Sequence, residues 1–268
     1  MDITTILGLL LGIGFLVGGF LMEGGQATAL FELTAGMIVF GGTVGAILVS
    51  TPLEQIKELP KILKIAIRYK PRNPLEIIDD LVSLATIARR EGILALEEKI
   101  ETYNDDFFKN GVRLVVDGVD PELVRSIMET ELSFIEDRHS KGAGIFEQAG
   151  GFAPTMGIIG TVMGLVHVLG SLEDPSRLGP SIAVAFIATL YGVASANLIF
   201  LPIANKLKTR SRQEVLIREL MIEGILSIQA GENPNILKQK LKVFLAPKNR
   251  EEPANATGEA GEVNAETT

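Results

Sequence analysis

Four long runs without a single Asp, Glu, Lys or Arg divide this chain of 268 residues: 3–22, 33–50, 149–171 and 180–205. An α-helix rises ~1.5 Å per residue, so twenty residues span the ~30 Å hydrocarbon core of a bilayer. Inside lipid each backbone polar group must be satisfied within its own element or a closed barrel. No stretch alternates apolar and polar residues long enough to read as a strand. The expected fold is therefore an all-α integral membrane protein. Its four transmembrane helices form two hairpins. A signal peptide fits the first run poorly, because Met1-Asp2 is not a basic leader and the run exceeds an h-region.

Basic residues set the orientation. Residues 51–72 carry six bases against two acids, and Lys206, Lys208, Arg210, Arg212 and Arg218 follow the fourth run with only Glu214 among them. The short link at 23–32 has two acids and no base, and the link at 172–179 has Glu173, Asp174 and one Arg177. Both short links then face outward, and both termini face the cytoplasm. The expected organisation is a first transmembrane hairpin at 1–50, a helical cytoplasmic domain at 51–148, a second hairpin at 149–205, cytoplasmic C-terminal helices at 206–245 and a disordered acidic tail at 246–268. The third and fourth membrane helices should extend well into the cytoplasm.

Within 51–148, Leu53, Ile56, Leu59, Leu63, Ala66 and Ile67 recur at helical spacing opposite lysines. That pattern suits a helix lying on the membrane surface or one packed against its own domain. Asn73-Pro74, Asp120-Pro121 and Asn233-Pro234 are helix starts, and Gly92, Gly118 and Gly231 stand where helices should stop.

The chemistry available is narrow. There is no Cys and there are two His, which removes disulfide, thiolate and His-rich metal chemistry. A net charge of −8 argues against a nucleic-acid binder. No phosphate loop, zinc-protease helix or grouped Ser, His and Asp is present, so the chain does not read as an enzyme and no cofactor is expected. On a helical wheel Pro154, Gly157, Thr161, Gly164 and Val168 share one face, and Ile182, Ala185, Thr189, Gly192 and Ala196 share another. Such small faces can pack together or line a polar path. Pro154 and Pro202 each free a carbonyl one turn earlier, at Gly150 and Leu198. Proton and sodium relays usually need an intramembrane carboxylate, and none of the four runs contains one. If the chain helps conduct ions, that carboxylate belongs to a partner.

Three stretches carry a family resemblance: Ala88-Arg89-Arg90-Glu91-Gly92 through Glu98, Gln148-Ala149-Gly150-Gly151 through Gly157, and Ala188-Thr189-Leu190-Tyr191-Gly192 with Pro202-Ile203-Ala204-Asn205-Lys206-Leu207. With the four apolar runs they resemble the MotA/TolQ/ExbB proton-channel family, above all its flagellar motor stator subunits of the MotA, PomA and MotP kind. The resemblance covers nearly the whole chain except the last 20 or so residues. It implies a multi-pass protein of the bacterial inner membrane, with five copies around two copies of a MotB-type partner that supplies the membrane Asp. Passage of H+ or Na+ would turn the ring against the rotor protein FliG. The resemblance places Pro154, Thr155, Thr161, Thr189 and Pro202 on the ion pathway and Arg89, Arg90, Glu97 and Glu98 at the rotor. Thr161, the Thr189-Leu190-Tyr191-Gly192 run and Asn197 lean toward sodium. The competing readings are an ExbB- or TolQ-type energiser, which typically has three spans, and a membrane scaffold that conducts nothing.

Overall fold

The computed structural model describes residues 3–68, 73–170 and 175–245. The expectations for 246–268 and for Glu173 and Asp174 fall outside these residues, as does the side chain of Ile67. Among the described residues every regular element is helical. In chain order they are α1 (Ile3–Met22), a 3₁₀ turn (Ala27–Leu30), α2 (33–50), α3 (Leu53–Arg68), α4 (Pro74–Glu91), a 3₁₀ turn (Ile93–Ala95), α5 (Leu96–Ile100), α6 (Asp106–Val116), α7 (Pro121–Leu169), α8 (175–229) and α9 (Pro234–Lys242). Four of these stretches are long and apolar enough to cross a membrane: α1, Ala27–Ser50, α7 and Ser181–Gln229 of α8.

Local chemistry explains the boundaries. The Asn73 and Asn233 side chains accept hydrogen bonds from Leu75 N and Asn235 N, which satisfies donors that a helix start leaves open. Asp120 does the same for Glu122 N. The chain leaves α4 at Gly92 with φ of 91°, a conformation that a side chain would strain. The helix from Pro121 runs unbroken through Pro154 to Leu169 as 49 residues.

Two irregularities were not legible as such. Each is a single π turn, at Met37–Gly41 in α2 and at Ala196–Phe200 in α8. The second ends just before Pro202, whose ring cannot donate to Leu198. The π turn, in which Leu201 N donates to Ala196 O, stands directly before this break in the hydrogen-bond ladder.

The described residues form two compact units. The first takes in the described parts of 1–71 with 131–215. There α2 packs on α8 through Ala35, Val39 and Ala188. Helix α3 buries Ala66 against Ala143 and Leu207 and sets Ile62 over Gly142. Arg210 donates to the Ile65 carbonyl. Leu53, Leu63 and Ile65 on α3 remain exposed. Thus one side of this amphipathic helix packs on protein, and other apolar residues stay uncovered. Helix α1 buries none of its residues in this chain; its close approach is at Gly12, where Leu198 lies across the glycine.

The second unit takes in the described parts of 72–130 with 216–268. Its core is built on Ile78, Leu81, Leu84, Met128, Leu220 and Ile225, all nearly inaccessible. An ion cluster closes one side. Lys240 bonds Glu223 at 2.5 Å, and Arg125 reaches the same carboxylate at 3.4 Å. The hydrogen bond from Lys240 holds the Glu223 carboxyl below its ordinary value of 4.5 and raises Lys240 above 10.5. The pair therefore stabilises the unit fully between those ordinary values. That stability fades as pH falls through the lowered Glu223 value or rises through the raised Lys240 value. Burial beside the Asp80 carboxylate pushes the Tyr103 phenol up to about 12, so it stays a proton donor to Asp80 throughout.

Gly111 is one of two tight points of this core, with Gly224. A Cβ on Gly111 would meet Met128 Cε at 2.4 Å and Ile225 Cδ1 at 2.8 Å. Gly111→Val is expected to destabilise this unit by ~1–3 kcal/mol through overpacking, read as a lower midpoint in thermal unfolding of the detergent-extracted protein.

Candidate functional site

Helices α7 and α8 approach until their backbones touch, and small residues make this possible. A Cβ on Gly157 would stand 2.9 Å from the Ala188 carbonyl oxygen and 3.1 Å from Thr189 Cα. A Cβ on Gly192 would stand 2.4 Å from the Ala153 carbonyl oxygen and 3.1 Å from Pro154 Cα. Gly160 and Gly164 meet Ala188 and Ala185 in the same way. Real side chains do not tolerate such separations from backbone atoms. The two small faces read from the sequence therefore pack on each other, which settles the first part of the choice left open above.

The seam also carries the two threonines. The Thr161 hydroxyl lies 2.9 Å from the Ala185 carbonyl and 3.1 Å from the Gly157 carbonyl. It is hydrogen-bonded to the Thr189 hydroxyl, which lies 3.4 Å from the same Gly157 oxygen. Both side chains are half-buried. Two hydroxyls and two carbonyls thus bring four uncharged oxygens together at one point of an apolar interface, each carbonyl accepting a hydroxyl besides the N–H of its own helix. Grouped hydroxyl and carbonyl oxygens are the kind of ligand that a hard cation takes in place of water. No group of three or more His, Cys, Asp or Glu side chains able to hold a metal ion occurs among the described residues.

The remaining sites named from the sequence lie elsewhere. Pro154 flanks the seam at Gly192. The Thr155 hydroxyl is exposed and donates to Phe152 O on its own helix, away from the threonine pair. Pro202 is exposed and follows the π turn of α8. Arg89, Arg90, Glu97 and Glu98 belong to the second unit and are all exposed. They bracket Gly92 and the 3₁₀ turn Ile93–Ala95, which shortens the path between the two charge pairs.

One member of the site gave no signal of its own role in the sequence. The Tyr191 hydroxyl accepts from Glu32 N at 3.1 Å and donates to the Leu30 carbonyl. It joins segments 159 and 161 residues apart. A tyrosine within an apolar run, carrying a polar tip that needs partners, was the available hint.

Comparison with known proteins then decides the family. The model of the MotA/TolQ/ExbB proton channel family matches residues 99–220, and that of the motility protein A N-terminal region matches 6–92. Motility protein A of Bacillus subtilis is 40% identical over 251 residues, covering 93% of both chains. The chain belongs to the MotA/TolQ/ExbB family. The chemotaxis protein PomA of Vibrio alginolyticus is 38% identical over 245 residues, covering 91% of this chain and 96% of its own. The solved flagellar MotAB stator complex of Bacillus subtilis superposes with a TM-score of 0.88 at 40% identity, covering 93% of this chain and 98% of that one. This MotA/TolQ/ExbB member thus shares its course with its relatives along almost its whole length, and the family is one of channels and not of enzymes.

The helix contact is open to direct test. Gly192→Val sets two new methyl groups against the backbone at Ala153 and Pro154, neither of which can yield as a flexible side chain would. It should separate α7 from α8 and lower the thermal midpoint of the purified protein by more than Gly14→Val, made at a position with open space around it. Equal midpoints for the two variants would show that the contact is not tight.

Proposed function

We propose that this chain is a flagellar motor stator subunit of the bacterial inner membrane, which conducts a cation together with a MotB-type partner. The observation that carries this reading is the oxygen-rich seam between α7 and α8, set in the uncharged runs of the two helices. Hydroxyl and carbonyl oxygens can replace water around a cation, but they cannot attract it through a bilayer unaided. A carboxylate from a partner helix supplies that attraction. The likeness to solved MotAB complexes supports a partner of that kind.

In this reading the four apolar helices form two outward hairpins and both termini lie in the cytoplasm. Residues 51–148 form the cytoplasmic helical domain, with α3 at the inner membrane surface, and 206–245 form the cytoplasmic C-terminal helices. Five copies surround two copies of the partner. Thr161 and Thr189 line the pathway with Pro154 and Thr155, and Pro202 releases the Leu198 carbonyl beside it. The cation is sodium in preference to a proton, because paired hydroxyls suit a hard cation while a proton needs only the carboxylate and water. PomA and motility protein A are similarly identical to this chain, so identity alone does not choose between ions.

The experiment is a swimming assay in cells that depend on this chain. Thr189→Ala and Pro202→Ala should each reduce swimming at least severalfold without loss of protein from the membrane. Normal swimming by both would remove the pathway assignment. Speed measured against external sodium at fixed pH names the ion: a saturating rise is expected, and a flat response assigns the proton.

The exposed Arg89 and Arg90, with Glu97 and Glu98, form the surface that pushes the rotor protein FliG through opposite charges. Reversing Arg89 and Glu97 together should cut motility while leaving the complex assembled, and a matching charge reversal on the rotor should restore part of it. An unaffected double reversal would falsify the rotor contact.

A further inference from the structure

We infer that the Tyr191 hydroxyl is a positioning group for cation uptake, holding the link before α2 against α8 so that Glu32 faces the outer side of the pathway. This inference rests on the functional reading above and adds a residue and a step to it.

The geometry begins with the link at 23–32. Its other backbone hydrogen bonds among the described residues are local: Glu23, Gly24 and Gly25 N to the end of α1, Ala29 N to Gln26 O, Phe31 N to Thr28 O and Gly36 N to Glu32 O. The Glu32 carboxylate accepts from its neighbour Thr34 at 2.9 Å. Among the described residues, Tyr191 ties this segment to a distant helix by hydrogen bonds, and it does so with both capacities of one hydroxyl. It accepts from Glu32 N and donates to Leu30 O. The ring is fixed as well, since it packs on the Ala35, Val39 and Ala188 cluster and lies 6.1 Å from the Phe40 ring. A rigid aromatic body with a bivalent polar tip is suited to setting a loop in one place.

What the clasp positions is a carboxylate. A cavity of about 400 Å³ is walled by Glu32 and Thr34 from the α2 end, Gly160, Gly164 and His167 from α7, and Ala188 from α8. Gly160 and Ala188 are the chain neighbours of Thr161 and Thr189. Among the described residues lining this space, Glu32 carries the only carboxylate, and it is half-buried. A carboxylate shielded from bulk water attracts a cation more strongly than one in open solvent. Tyr191 stands two residues beyond Thr189 on α8, so one helix carries both the pathway hydroxyl and the group that sets Glu32. His167 stands on the opposite wall, and the measurements are made at one pH.

Tyr191→Phe removes the hydroxyl and keeps the ring. The test uses the full chain with its MotB-type partner in cells lacking other stators, with speed measured against the cation that drives the unmodified motor. The half-saturating concentration should rise roughly two- to tenfold, the factor that one or two hydrogen bonds are worth, while maximal speed stays close to that of the unmodified chain. Combined with Glu32→Gln, Tyr191→Phe should add little, because it acts through that carboxylate. An unchanged half-saturating concentration, a loss confined to maximal speed, or full multiplication of the two effects would each overturn the inference.

A second readout needs no swimming. The chain has no cysteine, and Ala35 is 1% exposed beneath the clasp. A thiol at Ala35→Cys should react with a membrane-impermeant maleimide several-fold faster when Tyr191→Phe is present. Equal rates would show that the hydroxyl does not hold the link. If the unmodified chain fails to support cation-dependent swimming, the functional reading falls, and the labelling rates still decide the clasp.

Discussion

Everything in the membrane part of this protein depends on two helices being narrow enough to touch. Gly157 and Gly192 lie where any side chain would run into the backbone of the facing helix. In lipid there is little hydrophobic gain from helix association, because the tails are as apolar as the side chains. Close packing and hydrogen bonds across the contact must supply the adhesion. The small faces of α7 and α8 allow the first, and the Thr161 and Thr189 hydroxyls, reaching carbonyls across or along the seam, supply the second. The same close approach groups four uncharged oxygens at one point of an apolar wall. Packing and, in the function proposed above, passage of a cation are then two uses of one contact.

A division of labour follows from the charge distribution. The four apolar runs contain no acidic residue, although the chain has 33 acids. A carboxylate at the middle of a membrane helix is expensive without a partner or water. This chain keeps its carboxylates at the borders of these runs, as with Glu32, or outside them, as with Glu97, Glu98 and Glu223. In the proposed function the binding charge of the pathway is therefore left to another subunit.

Much was legible in advance because it depends on period and charge alone. The apolar runs, the asparagine caps and the stop at Gly92 are local features, and each occurs where the sequence places it. The long helix through Pro154 was legible too. The π turn before Pro202 was not, since a proline predicts a missing bond but not how the backbone absorbs it. Thr155 and Thr161 looked alike in the sequence. In the structure one hydroxyl bonds within its own helix and the other joins α8, because they lie on different sides of α7.

By itself the sequence determined that the chain is helical, where it can cross a bilayer, that its own membrane runs lack a carboxylate, and to which family it bears a resemblance. These are consequences of residue type and of periods of a few residues. Only the tertiary structure decided that the two small faces meet each other, that Thr161 and Thr189 share the Gly157 oxygen, and that Tyr191 holds a segment some 160 residues away. Those contacts depend on the azimuth and depth at which helices meet. A helical wheel gives the first only within one helix, and the second is set by where small residues let two backbones come together.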